Sequence, residues 1–170
     1  MVRYVALLRA VNVGGTGKLA MADLKAMGAA AGFRRIQTYI ASGNVVFEAA
    51  GTAAEVKAAL EAALAAYAGR PVGVLVRTAA EIAGVLARNP FPEAPGNRAV
   101  AIFLDGPPPA DTLERLTGQR GEVVRLGERE IYVHYDAGMA DSKLKIPAAQ
   151  LGTARNMNTV AKLAAMAAEG

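Results

Sequence analysis

The residues of this chain best suited to chemistry are cationic or amidic and sit on turns. Gly14-Gly15-Thr16-Gly17-Lys18 follows an apolar stretch, Val2 to Leu8, and precedes a helical pattern beginning near Met21. A loop so placed offers backbone amides and the positive end of a helix to an anion, and Lys18 is long enough to join them. It is not a Walker-type loop, because Asn12 stands where the first glycine belongs and Leu19, not Ser or Thr, follows the lysine. Gly15-x-Gly17-x-x-Ala20 meets the relaxed dinucleotide pattern, yet no acid ends the next strand to hold a ribose. The same glycines also serve simply to turn the chain.

Thr153-Ala154-Arg155-Asn156-Met157-Asn158-Thr159-Val160 is the densest polar cluster and runs straight into an apolar helical stretch. Arg155 is either a fork for an anion or a local salt-bridge partner, and Asn158 or Thr159 is the expected helix cap. Ser42-Gly43-Asn44 has the residues of a tight turn. His134 is the one histidine, and alternation along Ile131-Tyr132-Val133-His134 sets it opposite Ile131 and Val133; alone it makes no zinc site and no triad. Ser142 beside Lys143 lacks the Ser-x-x-Lys spacing that activates a serine. No catalytic residue, metal site or cofactor emerges, and whether the protein is an enzyme stays open. The polar clusters favour holding anions over acid–base chemistry.

The elements that position these residues repeat an order. Val2 to Leu8, Ile36 to Ile40, Val45 to Phe47 and Val72 to Val76 read as strands, with helices from Met21 to Ala31 and after Thr52. Thr52-Ala53-Ala54-Glu55 is a capping box, followed by Val56, Leu60, Leu64 and Tyr67 on one face. This β-α-β-β-α-β order is ferredoxin-like. A second capping box, Thr78-Ala79-Ala80-Glu81, starts a helix to about Arg88, and Asn89-Pro90-Phe91-Pro92 breaks it. Then come a strand from Arg98 to Leu104, a short helix from Asp111 to Thr117, strands from Val123 to Leu126 and Glu130 to Tyr135, and a closing helix from Asn158 to Ala168. The expectation is an α+β fold: two ferredoxin-like halves in tandem, residues 1–78 and 79–170, the second incomplete and ending in a helix, as two domains or one compact unit.

The 170 residues suffice for a core that buries roughly 70% of the unfolded surface. Absence of cysteine excludes disulfides, thiolate catalysis and cysteine-held metals, and suits a reducing compartment. Apolar runs fall far short of the ~20 residues that span a bilayer, and the N-terminus lacks the signal-peptide pattern, so the protein is expected in the cytoplasm, away from membranes. Residues 1–78 carry nine Lys or Arg against four Asp or Glu, and residues 79–170 carry ten against eleven, so the basic excess belongs to the first half. Such an excess attracts phosphates, or simply solvates a surface.

Leu7-Leu8-Arg9-Ala10-Val11-Asn12-Val13-Gly14-Gly15, Met21-Ala22-Asp23-Leu24, Thr38 to Phe47, Asn89-Pro90-Phe91, Ser142-Lys143-Leu144 and Thr153 to Leu163 together resemble the bacterial domain-of-unknown-function family numbered 1697. The resemblance runs nearly end to end. The family pattern has Gly where Ala10 stands and Trp where Met157 stands. The resemblance implies an α+β fold and a cytoplasmic bacterial protein, and brings no activity or substrate. It joins Arg9, Asn12, Gly14, Gly15, Ser42, Asn44, Ser142, Arg155, Asn156 and Thr159, to which the residues themselves add Lys18 and Lys143. The expectation is one cationic cleft binding a phosphate-bearing ligand, a nucleotide or short RNA. The alternative is a homo-oligomeric or partner-interaction module.

Overall fold

A central strand, β1 (Val2–Leu8), pairs antiparallel with β3 (Asn44–Ala49) on one side and β4 (Val74–Thr78) on the other, and β2 (Arg34–Tyr39) adds to the far side of β3. The resulting order, β2-β3-β1-β4, is that of a ferredoxin-like sheet. The computed structural model describes residues 1–9, 19–39 and 43–169. Helices α1 (Met21–Ala30) and α2 (Ala53–Ala68) supply Leu24, Val56, Leu60 and Leu64 to a core with Tyr4, Ala6, Leu8, Val45, Phe47, Val74 and Val76 of the sheet. Thr52 and Glu55 cap α2 reciprocally, as their spacing predicts, and Gly69 ends it at φ +70°.

Edge strand β2 is irregular by design of its residues. Arg35 has φ +52° and the register with β3 shifts between Arg34 and Gln37, a bulge that blunts the edge against pairing with another chain. Arg3 donates to the Arg35 carbonyl (3.2 Å), the Gln37 side chain (3.4 Å) and the Met166 carbonyl (3.3 Å), while Arg35 donates to the Glu169 carbonyl (2.6 Å). Two cations thus meet the carbonyl end of the last helix, the sign that its dipole favours.

Helix α3 (Ala79–Ala87) follows β4 and is capped by the Thr78–Glu81 pair. A second sheet then forms from β5 (Ala99–Phe103), β6 (Val123–Leu126), β7 (Glu130–His134) and β8 (Thr153–Asn156), all antiparallel in the order β6-β7-β5-β8. Helix α4 (Met157–Ala168) closes the chain. The fold is α+β, with four helices and two four-stranded antiparallel sheets among the described residues.

The second half is incomplete in its helices, not in its strands. Its fourth strand is Thr153–Asn156, a polar stretch expected to lead into a helix, which instead pairs with β5. The helix expected from Asp111 to Thr117 is a 3₁₀ turn, Thr112–Arg115, because Pro107-Pro108-Pro109 delivers the chain to it and the Pro109 carbonyl takes both the Thr112 amide (3.1 Å) and hydroxyl (2.6 Å). A second 3₁₀ turn, Pro147–Ala149, stands before β8. Leu116, Leu144, Ile146, Ala148 and Ala149 pack against Val100, Ile102, Val124, Ile131 and Val133 where helices would otherwise lie. The chain divides into two compact units, Met1–Ile82 with Leu163–Gly170, and Ala83–Lys162. No helix among the described residues is long and apolar enough to cross a membrane.

Candidate functional site

At one end of the first sheet the chain leaves β1 through Arg9. The Leu8 amide donates to the Gly43 carbonyl and the Arg9 amide to the Gly73 carbonyl, each at 2.9 Å, so the exit is held between the lead-ins to β3 and β4. Gly43 has φ +86°, which a side chain resists. Asn44 is fully buried opposite Leu7 and donates to the Tyr39 carbonyl at 3.0 Å, tying the ends of β2 and β3. A Cβ on Gly73 would stand 3.1 Å from Cδ of Arg9, so the bare glycine seats the arginine stem. Beside it, Glu61 accepts from the Val74 amide and from Lys57, both at 3.1 Å, and Lys57 also donates to the Val74 carbonyl.

From this end the chain continues into residues 10–18 and returns at α1. The Ala20 cap of α1 provides no side-chain acceptor for the first-turn amides, and Asp23 in that turn accepts from the Tyr67 hydroxyl (2.9 Å). Asn12, Gly14, Gly15, Lys18 and Ser42 lie outside the described residues.

In the second unit, Ser142 and Lys143 line a cavity of about 250 Å³. The Ser142 hydroxyl donates to Glu122 (2.6 Å) and accepts from the Leu144 amide (3.2 Å). Bonds from the Arg120 amide and from Ser142 hold the Glu122 carboxyl below the usual carboxylate range. Glu122, Asp136 and Asp141 outnumber Arg120 and Lys143 around this cavity, so its charge does not favour an anion.

Arg155 stands on β8 opposite Ala101 and is only 7% exposed. Its Nη1 donates to the Thr153 hydroxyl (2.7 Å) and the Ala154 carbonyl (2.9 Å), and burial pushes the guanidinium down to about 10. Asn156, not Asn158 or Thr159, caps α4: its side-chain oxygen accepts from the Thr159 amide at 2.9 Å. The cap moves upstream because β8 runs directly into the helix at Met157, which is buried. Asn158 lies over Gly96, where a Cβ would stand 2.0 Å from its oxygen. His134 packs its ring 5.4 Å from that of Phe91. Reading the residues one stretch at a time misses Arg77, which is 1% exposed on β4. Its signal is the succession strand, Arg, cap, helix, shared with Arg155-Asn156.

Among the described residues no group of three or more His, Asp or Glu is disposed to hold a metal. Against solved structures, the chain is similar to the conserved bacterial protein SP0830 from Streptococcus pneumoniae, with 25% identity, a TM-score of 0.81 and 98% of each chain covered. No functionally curated protein has a matching sequence. The chain belongs to the family described as "Protein of unknown function (DUF1697)", whose model matches residues 1–132.

Proposed function

We propose that this protein binds a phosphate-bearing ligand, a nucleotide or a short RNA, at the end of its first sheet. The observation that carries this reading is the convergence of Arg9, Gly43-Asn44 and Gly73 on the point where β1 gives way to residues 10–18. The sequence of that connection, Gly14-Gly15-Thr16-Gly17-Lys18, supplies amides and a lysine at the entrance to α1. The start of α1 has no side-chain cap, and its Met21 and Ala22 amides add donors of the right sign, while the Asp23 amide donates to the Ala20 carbonyl (3.0 Å). Charge supports the same half, where nine Lys or Arg stand against four acids through residue 78.

The test is a thermal-shift series against nucleotides, sugar phosphates and short RNAs, since a ligand at 100 times its Kd adds about 2.7 kcal/mol. Stabilisation that is lost in both Arg9→Ala and Lys18→Ala is the expected result. An unchanged shift in both variants sinks the reading. Should RNA be the ligand, contacts to about three phosphates give a log–log salt slope near −2 to −3. A mass that rises with concentration, together with no ligand response, would turn the reading to an interaction module.

A further inference from the structure

We propose that the second unit carries a separate site for a small organic acid, an oxyanion on an apolar body, in the cavity between the end of α3 and the β6–β7 hairpin. The cavity holds about 410 Å³, within the range of small-molecule sites. Arg88 and Pro90, just after α3, form one wall, and Arg125, Leu126 and Gly127 of the hairpin form the other. The Tyr132 ring lies between them, with its hydroxyl donating to the Val85 carbonyl at 2.9 Å and accepting from Arg88. The ring is buried, so the apolar surface open to a ligand is that of Pro90 and Leu126.

Two glycines seat the polar parts. A Cβ on Gly84 would stand 2.9 Å from an Arg88 guanidinium nitrogen, and a Cβ on Gly127 would stand 2.8 Å from the Tyr132 ring. Arg88 therefore lies back along α3, and the ring lies against bare hairpin backbone. Arg125 faces Tyr132 across the β6–β7 register, and among the described residues its guanidinium engages only the Val124 carbonyl (3.0 Å). Most of its five donors remain for a ligand.

The acid at the site is Glu128, whose carboxylate stands 3.7 Å from Arg88 with a side chain 77% exposed. A pair so exposed is held loosely, and a ligand oxyanion in the cavity competes with Glu128 for the Arg88 donors that the Tyr132 hydroxyl does not take. Among the lining residues two guanidiniums stand against one exposed carboxylate, with the buried Glu130 carboxylate beside Gly127, whereas acids outnumber cations around the cavity at Ser142. The proposed site shares no residue with the end of the first sheet and stands or falls independently of it.

The experiment is calorimetric titration of the full chain with phenyl phosphate and benzoate, against inorganic phosphate and benzyl alcohol. Binding of the two aromatic acids above either control is expected. Arg125→Ala weakens it by about tenfold or more, with Arg125→Lys in between, because a lysine keeps the charge and loses the fork. Glu128→Gln tightens it several-fold by removing the competing carboxylate, a gain that no loss of folding imitates. Arg9→Ala leaves it unchanged. The inference is overturned by equal binding of acids and controls, by indifference to both Arg125→Ala and Glu128→Gln, or by loss of binding in Arg9→Ala alone. Arg125 is exposed, so an unchanged denaturation midpoint verifies the fold of its variants.

Discussion

The two sheets share a strand order and differ in what covers them. In the first, α1 and α2 bring Leu24, Val56, Leu60 and Leu64 down onto β-branched and aromatic residues of the strands. In the second, two 3₁₀ turns and their flanking loops do the same work with Leu116, Leu144 and Ile146. Proline marks both connections: Pro107-Pro108-Pro109 precedes the first turn and Pro147 opens the second, and each turn ends after three or four residues. The order β2-β3-β1-β4 thus recurs as β6-β7-β5-β8 without helical connections. What the arrangement requires is apolar cover over one face, not a helix as such.

The likeness is closest at the fourth strand. Arg77 stands opposite Val5 of the central strand β1, and Arg155 opposite Ala101 of the central strand β5. Each donates through Nη1 to the carbonyl of the residue before it, at 3.2 and 2.9 Å. Each is followed by a capping side chain, Thr78 or Asn156, and then by a helix. A buried arginine, a cap and a helix form one corner, used twice.

Truncating the two arginines tests that equivalence with the largest effect. Arg77→Ala and Arg155→Ala each remove a large buried side chain and strand its polar partners, so each should cost about 2–5 kcal/mol in chemical denaturation. Arg77, the more buried, should cost more. Arg155→Met keeps the bulk without the buried charge and should stay within ~1 kcal/mol of the parent or exceed it. A silent Arg155→Ala beside a crippling Arg77→Ala would break the comparison.

Alkali should separate the halves next. Tyr132 on β7 occupies the register position that Val46 holds on β3, and burial pushes its hydroxyl up to about 12. An unfolded tyrosine ionises near pH 10, so the contribution of the folded Tyr132 is complete below pH 10 and is lost between about pH 10 and 12, by up to roughly 2–3 kcal/mol. Denaturation midpoints followed across that window should fall in the parent chain and fall less in Tyr132→Phe. A variant that tracks the parent would assign the alkaline loss elsewhere.

Smallest are the caps. Thr78→Ala and Asn156→Ala should each cost about 1 kcal/mol, agreeing to within a few tenths if the two corners are energetically alike. Thr52→Ala, which opens the capping box of α2, supplies the reference value. A large excess in one of the two would show that its cap also does something the other does not.

The capping boxes at Thr52 and Thr78 were legible in the sequence because their chemistry is complete within four residues. The β-α-β-β-α-β order of the first half was legible for a similar reason: hydrophobic period and turn residues are local signals. Strand β8 was not, since Thr153-Ala154-Arg155-Asn156 has no apolar alternation and becomes a strand only by pairing with β5, some fifty residues away in the chain. The cap of α4 followed from that pairing, shifting from Asn158 or Thr159 to Asn156.

The candidate sites divide in the same way. The residue types at Arg9, Asn44, Ser142 and Arg155 were plain in the sequence, but not their partners or burial: Gly73 for Arg9, Tyr39 for Asn44, Glu122 for Ser142, and for Arg155 a side chain only 7% exposed. The cavity of Arg88, Arg125 and Tyr132 left no sequence signature, because its walls come from two segments that only folding brings together. Sequence by itself determined the class of fold and the cationic, amidic composition of the loops, since composition and short-range spacing carry these. Tertiary structure alone decided which of those polar groups are spent on the fold and which face a cavity, since burial and hydrogen-bond pairing depend on contacts between residues far apart in the chain.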